Sequence, residues 1–201
     1  VLVTSQAAEK IYRALTAPAI VRTRLEASGT SKLSWLPQET ILFNRARICR
    51  EIEVDVSARA ELLALEWIVL GRAAHGEEIA DGFIVDGWQV KKDGRLIWAD
   101  TFRVSDEAFA QLNRKALLAD CKAIGTLVYF GPRLDAQLEF LRRIATSLGC
   151  RCAATTVRGL IIVRLAARIA SDLRRALCRL LEQFGRELGG GPFGLPKMWS
   201  C

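Results

Sequence analysis

The chain has 201 residues, 51% hydrophobic and 25% charged, a balance that supports a buried core and excludes a disordered polymer. Its formal net charge of +7 is uneven, because residues 61–110 are acidic on balance and both flanks are basic. That asymmetry suits complementary protein surfaces and breaks the continuous stripe of a phosphate-tracking nucleic-acid binder, and no apolar stretch is long enough for a membrane span.

The chain opens on Val1, with neither a Met nor a signal-peptide core. This reads as a cytoplasmic protein and as one domain over residues 1–201 whose N-terminal segment is missing. Ile20–Leu25 and Leu33–Phe43 carry strand patterning, with Pro37 marking an edge or a bend because it cannot donate to a ladder. In Ile48–Val56 the residues Ile48, Ile52, Val54 and Val56 share one face and Glu51, Glu53 and Asp55 the other, which predicts a half-buried strand. Glu61–Leu70 is nearly all apolar and reads as a strand buried on both faces, with Glu66 as its anomaly. Asp93-Gly94 between Trp88–Lys91 and Leu96–Val104 predicts a hairpin, and Arg158-Gly159 predicts a second one between Cys150–Val157 and Leu160–Ala166.

Two segments change to the helical period. After Pro132, the residues Leu134, Leu138, Leu141, Ala145 and Leu148 share a face, and Gly149 supplies a stop. Ile169, Leu173, Leu177, Leu180 and Phe184 do the same, with Ser171 and Asp172 near the start and Gly185 near the end. Arg168, Arg174, Arg175 and Arg179 then fall on the solvated side of this second helix. The glycine-rich tail from Gly189 ends in Leu195-Pro196-Lys197-Met198-Trp199, an apolar end that docks back or meets a partner.

The material for catalysis is thin. His75 is the one histidine, so a Ser-His-Asp triad or a histidine-rich metal site lacks its parts, and no phosphate-cradling P-loop is present. Paired carboxylates without a nameable nucleophile do not make a hydrolase. The remaining metal candidates are His75 and the pair Cys150 and Cys152, whose simpler reading is a surface imidazole and reduced, hydrophobe-like thiols. Glu39, Glu66 and Glu77 stand in or beside apolar strand sequence, where a carboxylate must be paired or must face a polar cavity. A salt bridge, with Arg72 as one partner, and an interior polar passage for a cation are both open on these grounds.

Several motifs together resemble one family. Trp35-Leu36-Pro37-Gln38-Glu39-Thr40-Ile41-Leu42-Phe43 and Leu70-Gly71-Arg72-Ala73-Ala74-His75-Gly76-Glu77 are similar to the most characteristic segments of the urease accessory protein UreD (UreH) family. The opening through Tyr12-Arg13, the segment Leu96–Asp100, the run Gly159–Leu165 and the Leu195–Trp199 ending resemble it too, in the same order, while the family's N-terminal strands are absent. The resemblance implies a mostly β protein, a β-helix-like stack of strands with two α-helices in the C-terminal half. It further implies a non-enzymatic chaperone that binds apo-urease, pairs with UreF and through it engages the GTPase UreG, while nickel passes in transit and no cofactor is held tightly. Pro37, Gln38, Gly71, Arg72 and Gly76 are then motif residues, and Glu39, Glu66 and Glu77 are candidates for lining the nickel route. His75 stands where the family pattern leads one to expect a small or apolar residue, so the resemblance assigns it no metal.

Overall fold

The computed structural model describes residues 1–72, 76–77, 79–109 and 111–199. The strands before the first hairpin are β1 (Leu2–Val3), β2 (Glu9–Ile11), β3 (Ala19–Ala27), β4 (Lys32–Trp35), β5 (Thr40–Leu42), β6 (Arg47–Val56) and β7 (Glu61–Leu70). After them come β8 (Phe83–Lys92), β9 (Arg95–Val104), the short helix α1 (Asp106–Phe109), β10 (Ala123–Phe130), α2 (Leu134–Ala145), β11 (Arg151–Val157), β12 (Leu160–Ala167) and α3 (Ala170–Glu187). The architecture is mostly β with mixed strand order and two C-terminal helices, as expected.

Among the described residues the strands form two sheets. One runs β1-β4-β7-β10-β12-β11, with β5 also on β7 and β2 on β5; the other runs β3-β6-β8-β9. The early pairings are parallel and link distant strands: Ala19 lies beside Ile48, Lys32 beside Glu61 and Arg47 beside Phe83. Between these partners the chain visits the other sheet, so each circuit returns about thirty residues later to its own neighbour. No sequence repeat accompanies this spacing, because the circuit needs only strand periodicity and bends.

The expected Leu33–Phe43 strand is split into β4 and β5, since Pro37 cannot donate to a ladder and turns the chain at the break. Both predicted hairpins are present. Asp93 and Gly94 have φ of 49° and 75°, and Arg158 and Gly159 have 45° and 85°, the paired positive values of a turn that follows strand twist. β10, a strand that the sequence pattern does not predict, pairs with β7 on one side and β12 on the other and fills the middle of the larger sheet.

Period-two alternation sorts β7 onto two cores. Leu63, Leu65, Trp67 and Val69 pack with α2 and α3, while Leu62, Ala64, Ile68 and Leu70 face the second sheet. The space between the sheets holds one apolar cluster around Ile52, Val54, Trp88 and Val128 and another around Leu42, Ile48, Ile68 and Ile84. α3 runs past Gly185 to Glu187 rather than ending there. Gly185 serves a close approach instead: a Cβ there would lie 2.3 Å from the Phe193 carbonyl oxygen, so its absence lets the tail fold against the helix. Phe193 and Trp199 are consequently buried, and the tail docks back on its own chain.

Candidate functional site

The alternation that buries β6, β7 and β8 places one charged residue at the middle of each inward face. Arg50 follows Ile48 and precedes Ile52, Glu66 stands between Ala64 and Ile68, and Asp86 between Ile84 and Trp88. Arg50 and Asp86 are register neighbours in one sheet, and Glu66 faces them from the other. The three therefore separate the two intersheet apolar clusters.

Arg50 is 2% exposed and Glu66 5%. The guanidinium grips Asp86 with both arms of its fork, Nε–H to Oδ1 at 2.8 Å and Nη2 to Oδ2 at 3.0 Å. Its third nitrogen, Nη1, donates to Glu66 Oε2 at 2.7 Å and to Thr40 Oγ1 at 2.9 Å. The second Glu66 oxygen accepts from the Trp35 indole N–H at 2.7 Å. Burial pushes the Glu66 carboxyl above its ordinary value, with the Arg50 charge and the indole pulling the other way. Arg50 stays charged, because Glu66 and Asp86 outweigh its own desolvation.

This charged group is a partition. On one side lies a cavity of about 500 Å³, lined by Glu66, Asp86, Trp88, Thr126, Ala153 and Arg164 among others. On the other lies one of about 240 Å³, lined by Glu9, Trp35, Gln38, Thr40, Arg50 and Glu66 among others. Glu66 belongs to both. At the outer end of the larger cavity Arg164 bridges Asp100 and the Thr126 hydroxyl.

The three sequence-selected carboxylates lie apart. Glu39 is in the β4–β5 break and pairs with Arg174 at 3.1 Å. Glu77 pairs with Arg72 and accepts from the Asn44 backbone N–H at 3.1 Å, while Arg72 lies 4.2 Å over the Phe43 ring. The partner of Glu66 is thus Arg50, and Arg72 serves Glu77. Gly71 and Gly76 take positive φ, 81° and 69°, next to Arg72 and Glu77, which form an isolated bridge. His75 lies outside the described residues.

Leu36 and Gln38 anchor the tail, and Pro37 between them holds Trp67. The Pro37 carbonyl accepts from the Trp67 indole at 3.3 Å, and the Leu36 carbonyl accepts from the Trp199 indole at 3.1 Å. Gln38 donates to the Met198 carbonyl at 3.2 Å and accepts from Arg174 at 2.8 Å. Arg174 therefore turns inward, in contrast to its expected place on the solvated side of α3, because Glu39, Gln38 and the Trp199 carbonyl lie within its reach.

Cys150 and Cys152 are half-buried and pack beside the helix-facing core. Burial, and then the neighbouring Cys150, push the Cys152 thiol up to about 12, and burial raises Cys150 as well, so both remain protonated. The five described cysteines carry no disulfide. No group of three or more histidine, cysteine or acidic side chains stands together in a metal-holding arrangement among the described residues.

Arg50 and Asp86 are site residues that sequence reasoning misses. Their signal is a charged residue at an inward position of an alternating strand, whereas Glu66 stands out because its strand is otherwise nearly all apolar.

These features define a class: a two-sheet, helix-covered β protein whose interior is divided by a buried ion pair. Residues 1–200 match the family model described as UreD urease accessory protein, and the chain belongs to that family. It is 39% identical over 198 residues to a urease accessory protein UreD of Xanthobacter autotrophicus, covering 98% of this chain and 66% of that protein. Similar proteins of the same name come from Rhizobium leguminosarum bv. trifolii, at 39% identity with 98% and 70% covered, and from a Methylobacterium species, at 36% with 99% and 70% covered. The chain thus spans about two thirds of the length of these relatives. Membership places it among accessory proteins, which are not themselves enzymes. No described helix is long and apolar enough to cross a membrane.

Proposed function

We propose that this chain is a urease maturation chaperone of the cytoplasm, a scaffold that binds apo-urease and acts with UreF and the GTPase UreG to place nickel in the urease active site. The observation that carries this reading is the family match over residues 1–200, joined to relatives that are named urease accessory protein UreD. In this reading the alternating parallel strands form a β-helix-like coil, the partners are proteins rather than nucleic acid or membrane, and nickel is cargo rather than a resident cofactor. Its route runs through the interior, past Glu66. Two observations support that route: cavities of about 500 and 240 Å³ both reach this residue, and the two carboxylates Glu66 and Asp86 attract a divalent cation. Glu39 and Glu77 hold their segments in place through Arg174 and Arg72.

The test is co-expression of urease and its accessory proteins with and without this protein. Urease should be recovered with the accessory complex and loaded with nickel only when it is present. An equal nickel content in urease made without it would refute the proposal.

A further inference from the structure

Arg50 is an odd wall for a cation route, since a fixed guanidinium repels the cargo that Glu66 and Asp86 attract. It is also unusual in having an acceptor on the far side. Glu9, on β2, lines the smaller cavity together with Arg50 and Thr40, and the Thr40 hydroxyl links the two. Thr40 Oγ1 receives the Arg50 Nη1 hydrogen at 2.9 Å and donates its own to Glu9 Oε2 at 3.4 Å.

We propose that Arg50 is the movable bolt of the partition, passing from Asp86 and Glu66 to Glu9 when a divalent cation crosses. The inference rests on the interior-route reading given above. The charge logic favours an exchange of partners over a simple opening. A buried carboxylate stripped of its partner is costly, and so is a buried guanidinium. If the cation arrives at Glu66 and Asp86 as Arg50 reaches the exposed Glu9, the buried carboxylates keep a positive partner throughout and the guanidinium gains an acceptor at the solvent edge of the smaller cavity. The smaller cavity gives the side chain somewhere to go, and the Thr40 hydroxyl marks the way. At rest the bolt is shut, with its fork engaged on Asp86, which closes the interior to ions that cannot offer Glu66 and Asp86 as much as the guanidinium does.

The experiment uses the protein in its complex with urease and the accessory proteins, reading the rate of urease activation by nickel and, by size-exclusion chromatography, the assembly of the complex. Glu9→Gln removes the second resting place and should slow activation by about fivefold or more, with assembly intact. In the background R50Q/D86N, which has no bolt, adding Glu9→Gln should change nothing further, whereas a merely structural Glu9 would slow both backgrounds alike. Activation of Glu9→Gln at the native rate, or an equal slowing in both backgrounds, overturns the proposal. Should R50Q/D86N fail to fold by circular dichroism, the Arg50 Nε–H resonance in labelled native protein replaces it. Zinc ions, a diamagnetic stand-in for nickel, must shift that resonance in the native protein and not in Glu9→Gln, and an unmoved signal overturns the bolt. Ala153→Trp, at an exposed position lining the larger cavity, separates the two levels. If it blocks activation and Glu9→Gln does not, the bolt alone is wrong; if neither slows activation, the interior route falls and the bolt with it.

Discussion

Replacing Arg50 by methionine tests the energetic core of this account. The change keeps an unbranched side chain between the sheets and deletes the charge that serves two carboxylates. Asp86 would lose both of its short bonds to the guanidinium, while Glu66 would lose one at 2.7 Å and keep the Trp35 indole. With Arg50 2% and Glu66 5% exposed, water offers little replacement. Removing one member of a buried pair costs about 3–5 kcal/mol. For each carboxyl a ceiling follows from proton uptake: neutralising one of ordinary value near 4 at pH 7.5 costs about 1.4 kcal/mol per pH unit, or about 5 kcal/mol. R50M should therefore lose about 3–5 kcal/mol in urea unfolding followed by far-ultraviolet circular dichroism at pH 7.5, a large part of the stability of an ordinary domain.

The pH dependence has a definite sign. Burial already holds Glu66 above its ordinary value, and loss of the Arg50 charge, which pulls the other way, raises it further. A group raised in the folded state contributes stability that is present below its unfolded value and is lost as pH rises through the folded one. The R50M deficit should then be complete at pH 7.5 and shrink as pH falls toward the ordinary carboxylate range. A deficit under about 1 kcal/mol at pH 7.5, or one that grows on acidification, would refute the reasoning.

Two further outcomes are expected. Trp199→Ala removes a 2%-exposed indole that packs 5.8 Å from Trp67 and donates to the Leu36 carbonyl, so the melting temperature should fall by about 6–20 °C, and an unchanged value would mean the docked tail carries no stability. The Cys152 thiol, pushed up to about 12 by burial and by Cys150, should react with iodoacetamide at pH 8 at least about tenfold more slowly than glutathione, measured by mass spectrometry of the tryptic peptides; parity would show an accessible thiolate.

What the sequence by itself determined was local. Alternation placed Ile48, Ile52, Val54 and Val56 on one face of β6, the Asp93-Gly94 and Arg158-Gly159 pairs made their hairpins, and the helical period of Leu173, Leu177, Leu180 and Phe184 formed α3. These features are legible because a few adjacent residues and their backbone geometry suffice to set them. Family motifs were legible for the same reason. Partner choice was decided only by the tertiary structure. Arg50 reaches Glu66 across the two sheets, Arg174 reaches back to Glu39, and Trp199 closes on Leu36, each joining residues that only folding brings near. Arg72 stood beside the unusual glutamates in sequence, yet the ladder set Glu77 opposite it and left Glu66 to Arg50. A charge at an inward strand position announces that a partner must exist, because burial without one is too costly; which residue answers depends on the register between sheets.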